Sequence, residues 1–353
     1  MRFIHIADVH LGVSPDAGKA YSAKRSSEIW DTFRALLDVC QKDKIDLLLI
    51  AGDLFHRQPL LRELKEVNYL FSKLTRTKVV LIAGNHDYMK KDSHYRTFQW
   101  SENVYPLFQR KMKGVRFPEW KTAVYGFSYY EREITEPRYD NAKAPRLERY
   151  EILLAHGGDE KHIPIRREQL MTLGYEYVAL GHIHRPQEVL DHYARYAGSL
   201  EPTDRNDLGV HGYVYGEIGE KGVRTKFVPF AGRSYIPMTV QITPEMTSGE
   251  LQDFLRKEIE NRGIENIYKI TLKGLRDPDI SFAQTGEKAD VFGNILECTD
   301  ETEPSYQFEK LMEQNKSNLL GKYIASFQNP KQESIEYEAL CEGVRALLET
   351  KRG

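Results

Sequence analysis

Cysteine is scarce in this chain. Only Cys40, Cys298 and Cys341 occur in 353 residues. They are odd in number and far apart, so neither a disulfide framework nor a CxxC metal site is available. Such usage fits a reducing cytoplasm. Strong net charge is lacking as well: 50 Lys and Arg against 52 Asp and Glu leave −2. No global basic field therefore recruits nucleic acid, and any such contact needs a local patch. No apolar run approaches the roughly 20 residues that cross a bilayer, which excludes a helical membrane span. Near the N-terminus, His5 and Asp8 interrupt the apolar stretch after Arg2, so the start does not read as a signal peptide. Internal repeats and low-complexity tracts are missing too.

What is present is an ordinary soluble composition, 41% hydrophobic and 29% charged, long enough for one large domain and a smaller one. The stretch Leu47-Leu48-Leu49-Ile50-Ala51-Gly52-Asp53 reads as a buried strand ending in a carboxylate. Four apolar residues without helical period suit an inner strand covered on both faces. The segment 2–7 alternates, is rich in Ile and Phe and reads as a strand, and 79–83 reads as another buried strand. Between them, Ile29, Phe33, Leu36, Leu37 and Cys40, then Leu61, Leu64, Val67, Phe71 and Leu74, recur at helical spacing. The first 87 residues thus read strand-helix-strand-helix-strand, an α/β core whose strands end in polar tips. From Lys121 the chain turns β-rich, with strands expected at 122–127, 150–155 and 175–180. We place a first domain at 1–232, a βαβ unit at 233–275, and a loop and helical region at 276–353.

The strand tips carry the chemistry. Asp8 and His10 are two apart, and so are His182 and His184; at the end of an extended strand such pairs point the same way. Asp53, Asn85 and His156 add a carboxylate, an amide oxygen and an imidazole. This set without thiolate suits Mn, Fe, Co or Zn. Two such ions roughly 3.5–4 Å apart activate water and clamp a phosphoryl group, so no Ser or Cys nucleophile is required. Asp53 is expected to lie between both. His86, beside Asn85 in a tight turn, is the candidate to protonate the leaving oxygen, Asp87 the candidate to fix its tautomer, and His56 a candidate to line the substrate. His5, His94, His162, His192 and His211 read as structural. Lys90, Lys91, Arg96, Arg110, Lys111, Lys113 and Arg116 form a basic run interleaved with Tyr88, Tyr95, Phe98, Trp100 and Tyr105. It reads equally as a phosphate-contacting, base-stacking surface or as a solvated face over a small aromatic core.

Asp8-Val9-His10, Gly52-Asp53, Gly84-Asn85-His86-Asp87, Ala155-His156-Gly157 and Gly181-His182-Ile183-His184 resemble the five ordered motifs of the calcineurin-like metallophosphoesterases. With Gly52-Asp53-Leu54-Phe55-His56 and Tyr196-Ala197-Gly198-Ser199-Leu200, the resemblance narrows to SbcD-type DNA repair exonucleases, nearest the YhaO-like branch. It implies a four-layer α-β-β-α sandwich with a smaller βαβ capping domain and C-terminal helices. It also implies one ion on Asp8, His10, Asp53 and His184, and a second on Asp53, Asn85, His156 and His182. His86 and His56 would stand near the scissile phosphate. Mn as the working ion, a homodimer and an SMC-like ATPase partner of the SbcC type follow from the resemblance alone. The leading expectation is a Mn-dependent DNA exonuclease. Its rivals are a phosphoesterase acting on nucleotides or other phosphodiesters and a non-catalytic scaffold.

Overall fold

The computed structural model describes residues 1–282, 284–331 and 334–352. It divides into two compact units: Met1–Ile236 with Glu265–Ile267, and Pro237–Ile264 with Tyr268–Gly353. The first unit runs β1 (Arg2–Ile6), α1 (Ser22–Lys42), β2 (Leu47–Ala51), α2 (Leu61–Ser72), β3 (Lys78–Ile82), β4 (Val104–Pro106), β5 (Lys113–Phe117), β6 (Thr122–Gly126), β7 (Tyr150–His156), α3 (Arg167–Leu170), β8 (Tyr177–Gly181), β9 (Gln187–Leu190), β10 (Ala194–Tyr196), β11 (Gly212–Gly219) and β12 (Gly222–Pro229). These strands form two six-stranded sheets, ordered β12-β11-β1-β2-β3-β4 and β5-β6-β7-β8-β10-β9.

The layering follows from alternation along each strand. Ile4, Ile6, Leu48, Ile50, Val79 and Leu81 point to one side and pack with Ile29, Phe33, Leu36 and Leu37 of α1 and Leu64, Val67 and Phe71 of α2. Phe3, Leu47, Leu49, Val80 and Ile82 point the other way, against Val124, Ile152, Leu154, Tyr177 and Ala179 of the second sheet. Strands with both faces covered must be apolar throughout, which is why β2 reads as a continuous run. Each such side chain contributes roughly 1.5–3 kcal/mol by burial. The far face of the second sheet packs under Leu170 of the short α3, Leu173 just beyond it, and loop residues such as Ile163 and Tyr139. The sheets flanked by helices are the mixed α/β architecture expected, though the helix of that outer layer spans only Arg167–Leu170.

Parallel pairing aims the strand ends together. β1, β2 and β3 are mutually parallel, and so are β7, β8 and β10. Each sheet therefore presents several carboxyl ends at one edge, where ligands bind in α/β architectures.

The second unit is built on the sheet β13 (Tyr235–Ile242), β14 (Ile267–Arg276) and β15 (Ile295–Pro304), in that order. Between β13 and β14 (Ile267–Arg276) runs α4 (Ser248–Arg262). Thr247 caps α4, its side chain taking Glu250 N–H while Glu250 bonds Thr247 N–H in return. Beyond α5 (Thr285–Ala289), β15 (Ile295–Pro304) pairs parallel with β14. Residues 295–304 were expected as loop. Their run of Asp, Glu and Thr shows no apolar alternation because only Ile295 and Leu296 at the start of the strand are buried. The helices α6 (Phe308–Gln314), α7 (Leu319–Ala325) and α8 (Ile335–Arg352) follow. Leu340 and Val344 of α8 are buried against Leu320 and Ile324, with Leu347 and Leu348 packed alongside, so these side chains serve their own unit. Among the described residues no helix is long and apolar enough to cross a membrane.

One polar network lies deep in the first unit. The Arg25 guanidinium is buried against the equally buried Glu201 carboxylate at 3.4 Å and donates to the Pro202 carbonyl at 2.8 Å. Glu201 also accepts from Thr32 Oγ1 at 2.7 Å and Gly232 N at 2.6 Å. Removing one partner of a buried pair leaves the other charge desolvated. Arg25→Ala is therefore expected to lower stability by roughly 3–5 kcal/mol, read as a drop in the urea midpoint, with Glu201→Gln costing less.

Candidate metal centre

All seven expected ligands meet at the shared edge. Asp8 and His10 follow β1, Asp53 follows β2, Asn85 follows β3, His156 ends β7, and His182 and His184 follow β8. Asp8, His10, Asp53, Asn85 and His156 are buried. Ligand atoms of Asp8, His10 and His184 lie within 4.8 Å of one another, as do those of Asp8, Asp53 and His156, and of His10, His56 and His86. His156 Nε2 lies 2.9 Å from Asn85 Oδ1 and 3.5 Å from Asp53 Oδ2, and His182 Nδ1 lies 3.1 Å from Asn85 Oδ1. His10 Nε2 faces His184 Nε2 at 3.0 Å.

The backbone reaches this geometry differently from the extended strand ends expected. Asp8 (φ 50°), His10 (φ 51°), Asp53 (φ 49°) and His182 (φ 100°) occupy the left-handed region. Each costs of the order of 1–3 kcal/mol, and such strain clusters at functional sites. Glycine is needed beside them. Gly52 has φ 92°, and a Cβ there would collide with His156 Nδ1; a Cβ at Gly84 would collide with Asp53 Oδ1 and the His156 ring.

Several ring orientations are fixed by neighbours that can only accept. His156 Nδ1 donates to the Ala51 carbonyl at 2.8 Å, which ties the two sheets together and turns Nε2 toward Asn85 and Asp53. His86 Nδ1 donates to the His56 carbonyl at 2.9 Å, leaving Nε2 free. His56 sits beside the centre, its Nδ1 3.4 Å from His10 Nδ1. Asp87 does not orient His86 as expected. Its oxygens accept from Gly84 N, Phe55 N and Tyr95 Oη at 2.8, 3.2 and 2.9 Å, so it is spent bracing the loop.

Electrostatics mark the same place. Burial pushes Asp8 up to about 6. Burial also opposes the charge on Asp53, but His156, His10 and His86 hold its carboxyl well below the usual range. Burial works against charged His156, yet Asp53 and Asp8 raise it to about 9. His184 likewise rises to about 9 against burial, through Asp207, Asp8 and Asp53. His182 falls to about 4 through burial and repulsion by His156.

These donors fit divalent cations. Asp8 Oδ1 is buried with no hydrogen-bond partner, and an orphaned carboxylate oxygen is costly unless a cation satisfies it. Oxygen and imidazole nitrogen without thiolate suit a borderline-hard ion. The His and Asp groups could therefore hold metal.

Two carboxylates were missed in the sequence. Asp159 Oδ2 lies 2.7 Å from His182 Nε2, and Asp207 Oδ2 lies 3.0 Å from His184 Nδ1. Two histidines read as structural belong with them: His162 bonds Asp159 at 2.9 Å, and His211 Nε2 donates to the Asp207 carbonyl at 3.1 Å. The only hint was Asp159 lying three residues after His156. In the basic run, the lysines and arginines are exposed. Tyr95 is buried against Phe55, Phe108 and Trp100, and Phe98 packs on Trp100. Those aromatics are core, not a stacking platform for bases.

Residues 1–186 match the family model described as calcineurin-like phosphoesterase. The chain is 28% identical over 249 residues to the metallophosphoesterase YhaO of Bacillus subtilis, covering 64% of this chain and 60% of that protein. It is 27% identical over 244 residues to the DNA double-strand break repair protein Mre11 of Methanocaldococcus jannaschii, covering 66% of this chain and 63% of that protein. The chain thus spans about three fifths of the length of these relatives. A dimetal phosphatase from Danio rerio superposes with a TM-score of 0.40 at 12% identity, covering 65% of this chain and 99% of that one, too low to add to the assignment.

Because ligation needs bare imidazole nitrogen, a metal must displace the protons that His156 and His184 hold up to about pH 9. Affinity for divalent ions is expected to climb as pH rises from 6 to 9. Calorimetry in buffers of different ionisation enthalpy should read net proton release on loading at pH 7; a buffer-independent heat would contradict it.

Proposed function

This chain belongs to the calcineurin-like phosphoesterases, a family of hydrolases, and on that footing we propose that it is a Mn2+-dependent nuclease hydrolysing DNA phosphodiesters. The convergence of Asp8, His10, Asp53, Asn85, His156, His182 and His184 on one edge carries the reading. Support for DNA as substrate comes from the similarity to Mre11 over 66% of this chain and from the exposed Lys90, Lys91, Arg96, Arg110 and Lys111. Following the same similarity, we assign the chain a homodimeric state, an SMC-like ATPase partner of the SbcC type and a role in double-strand break repair in the cytoplasm.

Asp8, His10, Asp53 and His184 would hold one ion, and Asp53, Asn85, His156 and His182 the other. A bound divalent pair supplies Lewis-acid polarisation of the phosphoryl group and acidifies water to a usable nucleophile. The chain's own residues do the rest. His86 has Nδ1–H committed to the His56 carbonyl, so as an imidazolium it delivers its Nε2 proton to the departing sugar oxygen and is left as the neutral Nδ1–H tautomer. His56, in tilted contact with His86 at 5.0 Å between ring centroids, lines the phosphate. Asp87 holds the turn that presents His86, through Gly84 N and Phe55 N.

The test is degradation of end-labelled duplex and single-stranded DNA against small phosphodiesters, all with Mn2+. DNA is the expected substrate. Asp53→Ala should abolish cleavage and metal uptake together. His86→Ala should lower kcat by roughly 10²–10⁴ with metal content intact; loss of metal would make His86 a ligand. Turnover of small diesters with DNA untouched would replace this reading with a nucleotide phosphoesterase.

A further inference from the structure

The second unit carries a cleft of its own, about 290 Å³ in volume. Its walls come from the end of β14, the turn after it, the segment after β15, and α8. Arg276 is the last residue of β14, and its register partner Pro304 is the last of β15. Tyr306, two residues further on, lines the same cleft, and Arg345 and Leu348, three apart on α8, line it from the helix.

The donors here lack matching acceptors. Arg276 Nη1 donates to the Ile280 carbonyl at 3.1 Å and to the Asp277 carbonyl at 3.4 Å. Those bonds fix the guanidinium but leave its charge unanswered, since among the described residues Arg276 forms no ion pair. Arg345 touches Glu342 and Glu349, each at 3.4 Å, along its own exposed helix, and pairs so exposed hold weakly. Among the described residues the Tyr306 hydroxyl has no hydrogen-bond partner. Burial and Cys341 push that hydroxyl up, while Arg276 and Arg345 both draw it down, so both guanidiniums act on one oxygen.

We propose that this cleft binds a terminal phosphate group, with Arg276, Arg345 and Tyr306 as its donors. A planar carboxylate is met best by a single guanidinium fork in its own plane. Here the donors stand on three separate segments, and a tetrahedral oxyanion offers oxygens in several directions. Ile280 and Leu348 add apolar wall, on which the organic part of a phosphate ester can rest. Asp279 and Glu349 border the cleft and are exposed. Their charge disfavours a polyanion such as a DNA duplex and leaves room for one compact phosphate. Free phosphate and a mononucleotide share this chemistry. The site is independent of the metal centre and of the substrate assigned to it.

The experiment titrates the full chain, freed of metal by dialysis against chelator, with inorganic phosphate, deoxyadenosine monophosphate and deoxyadenosine, read by calorimetry. A phosphate-bearing probe should bind and the bare nucleoside should not. Tighter binding of the nucleotide assigns the apolar wall to its ester group; equal affinities assign the cleft to phosphate alone. Arg276→Gln and Arg345→Gln should each weaken binding by roughly 10–100-fold, the worth of one hydrogen bond to a charged group, and Arg276→Lys should recover part of the loss. Each guanidinium bonds only within its own turn or helix, so both variants should melt like the wild type when ligand-free. Should one of them melt early, the other decides. Failure of the wild type to bind either phosphate probe at millimolar concentration, or binding that both glutamine variants leave unchanged, would overturn the inference.

Discussion

Two carboxylates, Asp8 and Asp53, are buried together among imidazoles, and most of the first unit is arranged to make that tolerable. Carboxylates removed from water are costly unless cations or hydrogen bonds meet them. In the metal-free chain, protonated His156 and His184 share that task. Asp8 Oδ1 remains without a partner. The site is thus a stored electrostatic deficit that positive charge relieves, and protons and divalent ions compete to relieve it. Left-handed backbone at Asp8, His10, Asp53 and His182 adds conformational strain to the same place.

The scaffold bears this load through parallel pairing and close packing. Two sheets meet across a dry interface of Phe3, Leu49, Val80, Ile152 and Leu154, so their carboxyl ends share one edge. The His156–Ala51 bond crosses that interface. Gly52 and Gly84 leave the space that the His156 ring and the Asp53 carboxylate fill. A hydrolytic centre gains from such rigidity, because ligands held before the ions arrive need not be reorganised afterwards. His86 differs in kind. Its backbone N–H is fixed to Asp53 at 2.9 Å, yet its Nε2, to which we assign proton transfer, is uncommitted.

Much of the core was legible because its signals are local. Buried strands carry unbroken apolar runs, and α1 and α2 repeat at helical spacing. Polar residues straight after such runs marked the edge, and the five ordered motifs joined them. The oriented partners were illegible for the opposite reason. Asp207 reaches His184 across 23 residues and Asp159 reaches His182 across 23 more, through loops with no periodicity. Adjacency misled in the case of Asp87: it follows His86, but its oxygens turn toward Phe55, Gly84 and Tyr95. β15 was missed because an acidic strand buried only at Ile295 and Leu296 lacks the alternation that betrays a half-buried one.

The order of hydrophobic runs and the residue types at their ends determined, by themselves, an α/β core with a thiolate-free metal-competent edge. That follows because strand burial and donor chemistry belong to residues taken one at a time. Which nitrogen each histidine turns inward, which carboxylate steadies it and which oxygen is left unsatisfied were decided only by tertiary structure. Those properties depend on distances between segments remote in the chain, and only packing two sheets against each other sets them.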